Sequence, residues 1–387
     1  MKHRIQSARP SAVLLMATLG LSLPRSQARA EDAIAYKYET YREADGRIEV
    51  RTQSGSAEQD LGADTQLKLT GTIDAIAGAT PTGEPAPPGS DQVAMTQMHD
   101  RRKAWSGDLS HQFPRINVDV GWANSRESDY VSTGGSVNTL TDFNQKNTTL
   151  LLGLAGTNDD VKVFYQGIYV QKRTGEAIVG VKQLLSPLTF VTLNLTWGRA
   201  TGYLGDPYRV IQKNVEILPG LFLPRSYPEN RPDRREHSVA FASINHTVAP
   251  LHGAFEANYR FYRDTFGTTS HTLGATWLQK IGERFVLSPS LRYYQQSAAD
   301  FYRVTLDGTS IVPGLLPNPA GPFYSADYRL AKLRTWDYAL KAVWKVSDAL
   351  QLDAAFEHYE MQGRDGFTLA SAFPRAKMVT LGAQVRW

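Results

Sequence analysis

Long stretches of strict apolar/polar alternation limit what this chain can fold into more than any other feature. The stretch VTLNLTWG at 191–198 and the final ten residues, MVTLGAQVRW, both show the pattern, and helical periodicity is nearly absent. A period of two residues places the two classes of side chain on opposite faces of a β-strand. The sequence therefore predicts an all-β protein.

Many of these segments run for about 10–14 residues, whereas a globular strand is typically about 5–6 residues long and a membrane-crossing strand about 9–11. Short turns, such as 113–115 and 281–284, alternate with longer connections. A soluble β-sandwich is the alternative, but this asymmetry of connections is typical of outer-membrane barrels. We predict a transmembrane antiparallel up-and-down β-barrel of about 16 strands, or 14 as the alternative, over residues 31–387, with extracellular loops 78–99, 130–143, 200–236 and 300–327.

Residues 1–30 have the layout of a secretory signal peptide. Basic residues precede the apolar stretch 11–23, and Ala28-Arg29-Ala30 resembles a cleavage site. We expect this segment to be cleaved during export, with the cell outer membrane as the destination. The chain has no cysteine, and its net charge is only +4 with both signs interspersed. Neither disulfides nor a nucleic-acid partner is therefore predicted.

The aromatic C-terminus also suits a barrel. The last strand of a closed barrel pairs with the first, and a terminal Trp387 suits the membrane–water interface. The tail resembles the signature that the barrel-assembly machinery recognises, so Trp387 is the predicted assembly signal. The expected partners are therefore outer-membrane lipid and, during biogenesis, that machinery.

Charged residues on the inferred inner face are candidates for lining the lumen. They belong inside because Arg or Lys at the lipid midplane would cost about 2–4 kcal/mol. One interpretation is a selectivity lining. The favoured interpretation is a solvated wall of cross-paired charges, since no single sign dominates. The candidates are Lys68, Asp74, Asp119, Glu256, Arg260, Arg292, Asp337, Lys341, Asp353 and Glu357.

Acidic residues close to a tyrosine recur where long loops are predicted. They would gather at the extracellular rim, where carboxylates and phenols could form a ligand or cation site. The favoured and simpler explanation is that rim aromatics accompany turn-forming Asp and Ser. These rim candidates are Asp129, Tyr130, Asp206, Tyr208, Asp300, Tyr302, Asp327 and Tyr328.

Basic residues on the same side could contact the phosphates of lipopolysaccharide, for which arginine is well suited. A hydrophilic loop face without a lipid contact is an equally favoured interpretation. The candidates are Arg101, Arg102 and Lys103, with Arg231, Arg234 and Arg235 further along the chain.

The apolar residues of the predicted loop 200–236 are poorly suited to solvent. We expect this loop to pack inside the barrel as a constriction, or against a partner. The residues are Val210, Ile211, Val215, Ile217, Leu218, Leu221, Phe222 and Leu223.

The sequence contains no HExxH, GxSxG or P-loop run, and its histidines are scattered. We predict no catalytic residues, no metal and no cofactor. A lipid-modifying outer-membrane enzyme stays open as an alternative, because spacing alone does not exclude a Ser–His arrangement.

Several segments resemble an uncharacterised bacterial family of outer-membrane proteins. The clearest are TGTIDAIAGATPTG (70–83), TWGRATGYLGDPY (196–208), ENRPD (229–233) and FYSADYRL (323–330). Members of that family tend to be encoded beside a small lipoprotein, a thioredoxin-like protein and a flavin transferase. The resemblance implies a role beside extracytoplasmic redox or cofactor chemistry and carries no catalytic residues with it.

Two functions are consistent with these features. The first is a channel or transporter for a small solute, narrowed by loop 200–236. The second is a plugged, anchoring barrel that organises a lipoprotein or a periplasmic redox or flavin system.

Overall fold

The computed structural model describes residues 32–62, 64–163 and 167–387, and the predicted signal peptide lies outside them. Within these ranges, sixteen antiparallel strands pair in a ring and close into a barrel, and two further strands form a separate hairpin. The predicted all-β barrel and its strand number are therefore confirmed. Among the described residues, no helix has both the length and the apolar composition of a membrane-spanning helix.

The strands follow one another around the ring in chain order, except for the hairpin β10–β11, which lies between β9 and β12. Their bounds are β1 Ala33–Glu43, β2 Glu49–Gly62, β3 Thr65–Pro81, β4 Met95–Gln112, β5 Ile116–Arg126, β6 Tyr130–Phe143, β7 Thr148–Val163, β8 Ile168–Ser186, β9 Thr189–Gly202, β10 Val210–Leu218, β11 Leu221–Pro228, β12 Arg234–Val248, β13 Gly253–Asp264, β14 Thr269–Ile281, β15 Phe285–Gln296, β16 Leu333–Lys345, β17 Leu350–Gly363 and β18 Arg375–Arg386. Single 3-10 turns cover Asn144–Lys146, Ala249–Leu251, Tyr328–Leu330 and Ala370–Ala372.

The apolar side chains of the alternating pattern face outward. Leu154 is 66% exposed and Leu195 is 61% exposed, although each lies in the middle of a paired strand. A sandwich would bury these residues between its sheets. In a closed barrel they form the surface that acyl chains cover.

Aromatic pairs mark the two edges of this apolar surface. Phe285 and Trp344 stack at the short-turn end of β15 and β16, with ring centroids 5.7 Å apart. Tyr293 and Trp336 pack towards the other end, 4.6 Å apart. Phe285 and Tyr293 are separated by about 26 Å along the strand at about 3.3 Å per residue, which matches an apolar band about 25 Å tall once the strand tilts.

Connections differ in length at the two ends of the barrel. At one end they comprise at most four residues, as at 113–115, 187–188 and 346–349. At the other end lie the loops 82–94, 203–233, 297–332 and 364–374. Turns this short cannot cover the opening of a barrel this wide, so only the end with the long loops has enough chain to cover the lumen.

One predicted loop is wrong. Residues 130–143 form strand β6. The strand number is still right, because residues 144–184, whose sequence pattern suggests three strands with turns at 157–160 and 173–176, contribute only to β7 and β8. At these outer ends of the strands, small and polar residues pair with one another, as Gly135 does with Gly156 and Thr157 with Thr174, so the apolar alternation is lost.

A single arginine in the middle of β9 should distinguish the two faces of the wall. Leu195→Arg places a charge in the lipid and should cost about 2–4 kcal/mol of folding free energy. Thr196→Arg, one residue further on, points the same charge into the lumen and should cost far less. Urea titration of the barrel in lipid vesicles, followed by heat-modifiable gel mobility, measures both. Equal destabilisation by the two variants would contradict the assignment of the faces.

Candidate functional site

The loops 203–233 and 297–332 cross the mouth of the barrel at the long-loop end, and together we call them the plug. Loop 203–233 leaves from β9, six strands around the ring from β3. Nevertheless the Val210 N–H donates to the Thr82 carbonyl at 3.0 Å, and Arg209 Nη2 donates to Thr80 Oγ1 at 3.1 Å. The loop therefore reaches across the opening to the far wall.

The contact with the far wall requires a glycine. Gly83 has a φ of +97°, and the carbonyl of Val210 occupies the space where a side chain at position 83 would begin. Only glycine combines this backbone conformation with so close an approach.

Buried ion pairs join the two loops of the plug. Asp327, which is 1% exposed, accepts from Arg231 Nη2 at 2.8 Å and from Arg329 Nε at 2.8 Å. Arg209 Nε lies 3.9 Å from the same carboxylate. Since Arg209 and Arg231 belong to loop 203–233 and Asp327 to loop 297–332, the pairs of these two arginines with Asp327 cross the boundary between the loops.

Two more carboxylates complete the network. Asp206 Oδ2 lies 2.5 Å from Arg329 Nη2, and Glu229 Oε1 lies 2.8 Å from Arg231 Nε. Ser325 Oγ donates to the second oxygen of Glu229 at 2.5 Å. The carboxylates of Asp206, Glu229 and Asp327 thus balance the guanidinium groups of Arg209, Arg231 and Arg329, as buried charges require.

The pKa values of the acids move in opposite directions. Burial by itself would raise the pKa of Asp327, but Arg329, Arg209 and Arg231 together hold it below its usual range. Burial raises the pKa of Glu229, and Arg231 offsets this only in part. Asp327 therefore keeps its charge at lower pH than Glu229 does.

An apolar cluster packs beside the ion pairs. Tyr328 is its link to the network, because the guanidinium carbon of Arg209 lies 5.7 Å from its ring centroid. The same ring meets Phe373 edge-on at 5.8 Å. The buried members of the cluster are Phe266, Ala299, Phe301, Tyr302, Tyr328, Leu330, Ala331, Leu333, Ala372 and Phe373.

A hydrogen bond and a cation–ring contact fasten the plug to two other points of the rim. Tyr208 donates its phenolic proton to Asp129, between β5 and β6. The guanidinium carbon of Arg47, between β1 and β2, lies 6.0 Å from the ring centroid of Tyr328, and Arg47 also donates to the carbonyl of Ser371 in the β17–β18 connection at 2.8 Å. The plug is therefore held all around the mouth and not at one hinge.

The predicted lumen-lining residues all lie on the inner face, one position out of phase with the exposed apolar residues of their strands. Some are paired across strands: Lys68 Nζ lies 2.6 Å from Glu58 Oε1, and Asp74 Oδ2 lies 2.5 Å from Arg102 Nε. They are spread along the strands and do not form a single ring. The same holds for Asp119, Glu256, Arg260, Arg292, Asp337, Lys341, Asp353 and Glu357.

The predicted rim residues do gather at the mouth, but most are engaged with one another or with the plug. Tyr130 donates to Asp159 at 2.7 Å, and Asp300 alone among the acids is exposed. Asp129 lies near Asp100 and Glu127, with one carboxylate oxygen of each within 4.8 Å of the others. Asp206 and Asp327 belong to the ion pairs, and Tyr302 and Tyr328 to the apolar cluster.

The predicted lipopolysaccharide contacts divide in two. Arg101 and Lys103 lie on the outer face and are exposed, whereas Arg102 points inward to Asp74. The remaining three are occupied by ion pairs: Arg231 with Glu229 and Asp327, Arg234 with Glu236, and Arg235 with Asp264.

The apolar residues of loop 203–233 also divide. Ile211 is fully buried beside Leu306 and Tyr324 of the other plug loop. The tip of the hairpin is exposed, with Leu218 at 62% and Phe222 at 56%. The expected packing of this loop onto the barrel therefore holds for its base and not for its tip.

Sequence reasoning missed the plug arginines Arg209 and Arg329 and the acid Glu229. Each stands next to or within a segment that was singled out, namely GDPYR, SADYR and ENRPD. The available signal was that each of these segments contains both an acid and an arginine, since buried charges must be paired.

Asp327→Asn should loosen the plug and leave the barrel folded. The substitution leaves Arg209, Arg231 and Arg329 with only the carboxylates of Asp206 and Glu229, so that one buried positive charge is uncompensated, at a cost of about 3–5 kcal/mol. Trypsin cleavage in the plug of the detergent-solubilised protein should then accelerate by about tenfold or more. Asp300→Asn, which changes an exposed acid of the same loop, should leave the rate unchanged. Equal rates for the two variants would show that the ion pairs do not hold the plug.

Comparisons with known proteins find similar solved structures, all at low sequence identity. No curated protein matches the sequence. Solved structures that are similar include the siderophore receptor PirA from Acinetobacter baumannii (10% identity, 87% of this chain and 54% of that chain, TM-score 0.42). They also include OmpT with loop L8 deleted, an outer membrane protein of Vibrio cholerae (8%, 92% and 98%, 0.44), and the outer membrane protein opdK from Pseudomonas aeruginosa (8%, 92% and 99%, 0.42). The chain spans about half the length of the siderophore receptor.

The family model described as "Protein of unknown function (DUF3570)" matches residues 7–169 and 164–372. The predicted resemblance to an uncharacterised family of outer-membrane proteins is thereby confirmed. The chain is an outer-membrane β-barrel protein and belongs to this family.

Proposed function

We propose that the protein is an outer-membrane channel for a small solute, closed at its outer mouth by the plug. A polar lumen runs through the barrel, and the two plug loops, not the barrel wall, close it. Movement of the plug then opens the path, and the charged inner wall determines which solutes pass.

The observation that carries this proposal is the contrast between the lumen wall and the mouth. Inner-face residues along the wall, such as Lys341 and Asn194, keep contact with solvent. At the mouth, Asp327 and Arg209 are at most 2% exposed. Water thus has access to the lumen up to the plug, and short turns leave the opposite end uncovered.

Conductance of the purified protein in planar bilayers tests the channel. We expect the wild type to be mostly closed with rare openings, because the plug fills the mouth. Asp327→Asn should raise the open probability by about tenfold or more, in line with the cost of unpairing a buried charge. Asp300→Asn is the matched control. A protein that stays silent after both plug loops are replaced by short glycine–serine linkers would exclude a channel.

Acid should open the channel only at low pH. An Asp in the open plug titrates near its ordinary pKa of 3.8, so the stability that Asp327 gives to the closed plug is complete above that pH and is lost below it. Glu229 has the opposite effect on the stability of the closed plug, because its raised pKa means that protonation favours the closed state. Conductance should therefore stay low from pH 7 to about 4.5 and rise below about 3.8. A steady increase from pH 7 downward would contradict this assignment.

A second candidate is the anchoring barrel, and the exposed apolar tip of β10–β11 favours it. Leu218, Leu221 and Phe222 are 45–62% exposed above a closed mouth, where a partner could cover them. Of the partners that the family resemblance implies, a small lipoprotein on the cell surface could reach this tip, whereas a periplasmic redox protein would have to bind at the short-turn end. Persistent electrical silence of the plug-deleted barrel is the result that would support the anchor over the channel.

The remaining sequence predictions belong to either function. We propose a non-enzymatic role, export through a cleaved signal peptide, assembly signalled by Trp387, and lipopolysaccharide contact through Arg101 and Lys103. The outward exposure of these two basic residues at the long-loop end of β4 supports the last of these.

A further inference from the structure

We propose that the lumen directly beneath the plug holds a binding site for small organic carboxylates. The inference rests on the proposed channel function and names its class of solute. The site is formed by the upper, inner ends of β13, β15, β16 and β17, with the plug above it.

A cavity of about 220 Å³ lies at this position. Arg292 and Arg329 line it together with the rings of Tyr294 and Tyr359, and Leu333 adds an apolar side chain. Pockets for drug-sized ligands measure about 300–1,000 Å³, so this cavity suits a smaller molecule. Guanidinium groups, phenols and an apolar wall together fit a carboxylate on a short apolar or aromatic body.

Two arginines at this level have no acidic partner. Among the described residues, the ion pairs within 4.0 Å include neither Arg260 nor Arg292. Their positive charges act on each other across β14, where Thr272 and Gly274 are their ladder neighbours. Glu176 on β8 also acts on Arg260, but the two like charges on one wall repel each other, and a bound anion would relieve that repulsion.

Carboxylates also lie near these two arginines. Asp337 is the ladder partner of Arg292, and Glu357 lies on the next strand. Neither forms an ion pair with Arg292 within 4.0 Å among the described residues. The negative charges of these acids disfavour an anion in the site. A cationic probe of matched size therefore shows whether the site prefers positive or negative ligands.

The cavity is connected to the plug through Arg329. This residue lines the cavity and also pairs with Asp206 and Asp327 in the plug. A carboxylate that bound beneath the plug would compete with these two acids for the guanidinium group. Occupation of the site would therefore loosen the plug, which links solute binding to opening.

Binding of benzoate to the folded protein in neutral detergent, measured by isothermal titration calorimetry, tests the site. We expect benzoate to bind in the millimolar range or below and benzylamine, its cationic counterpart of similar size, to bind at least tenfold more weakly. Arg292→Gln should weaken benzoate binding by about tenfold, and Arg292→Lys should weaken it less because it keeps the charge. Lys182→Gln, which removes a cation from the inner face of β8, is the matched control and should have no effect.

Several results would overturn the inference: no benzoate binding, preference for benzylamine, or equal loss in Arg292→Gln and Lys182→Gln. Calorimetry in detergent measures binding and does not depend on conduction. The carboxylate site and the channel are therefore tested independently of each other. A protein that conducts but does not bind benzoate overturns the carboxylate site alone. A protein that binds benzoate with the expected variant effects, yet stays silent after plug deletion, overturns the channel alone.

Discussion

The hydrogen-bond ladder between β1 and β18 is the interaction on which the rest of the structure depends. It runs from the pair Ala33–Arg386 to the pair Glu43–Ala376 and leaves no strand edge open to lipid. An unpaired backbone N–H or C=O in the hydrocarbon layer costs several kcal/mol, so a spanning sheet must close on itself. Closure then gives every strand one face in lipid and one face in the lumen. The alternating sequence follows directly from this division, because polar residues have only the lumen available.

A ring of sixteen strands among the described residues creates a second constraint. Side chains alone do not fill a barrel of this width, so the lumen is either an aqueous path or is closed by added chain. Here the added chain is the plug, which comes from two loops on neighbouring parts of the ring. Its contacts with Thr80, Asp129 and Arg47 reach widely separated strands. The length of these loops is thus explained by the diameter that they must cross.

The sequence predicted the barrel well and the plug poorly, for one physical reason. Within the lipid layer every second residue must be apolar, so segments such as 191–198 can be recognised as membrane-crossing strands from their sequence. Outside that layer the requirement ends. Strand β6, with YVSTGGSVNTLTDF, has small and polar residues on both faces and was mistaken for a loop. The ion pairs that join the two plug loops are distant in sequence, as between Asp206 and Arg329, which are 123 positions apart, and no local pattern encodes them.

The chemistry of the boundary between the two plug loops indicates where the mouth can open. Across that boundary Arg231 faces Asp327, Arg329 faces Asp206 and Ser325 faces Glu229, so this part of it is polar. Another part is apolar, because Ile211 packs against Leu306 and Tyr324. Replacing such buried ion pairs by apolar side chains of similar volume would often leave the closed plug equally stable or more stable. Opening an apolar boundary, however, would expose its surface to water at a cost of about 25 cal/mol per Å². Charged surfaces that separate are instead rehydrated, which repays much of the lost pairing. The apolar cluster around Phe301 and Phe373 joins loop 297–332 to the β17–β18 connection, away from this boundary. We therefore infer that the mouth opens first at the polar part of the boundary, while the contact of Ile211 with Leu306 and Tyr324 keeps the two loops together at their bases.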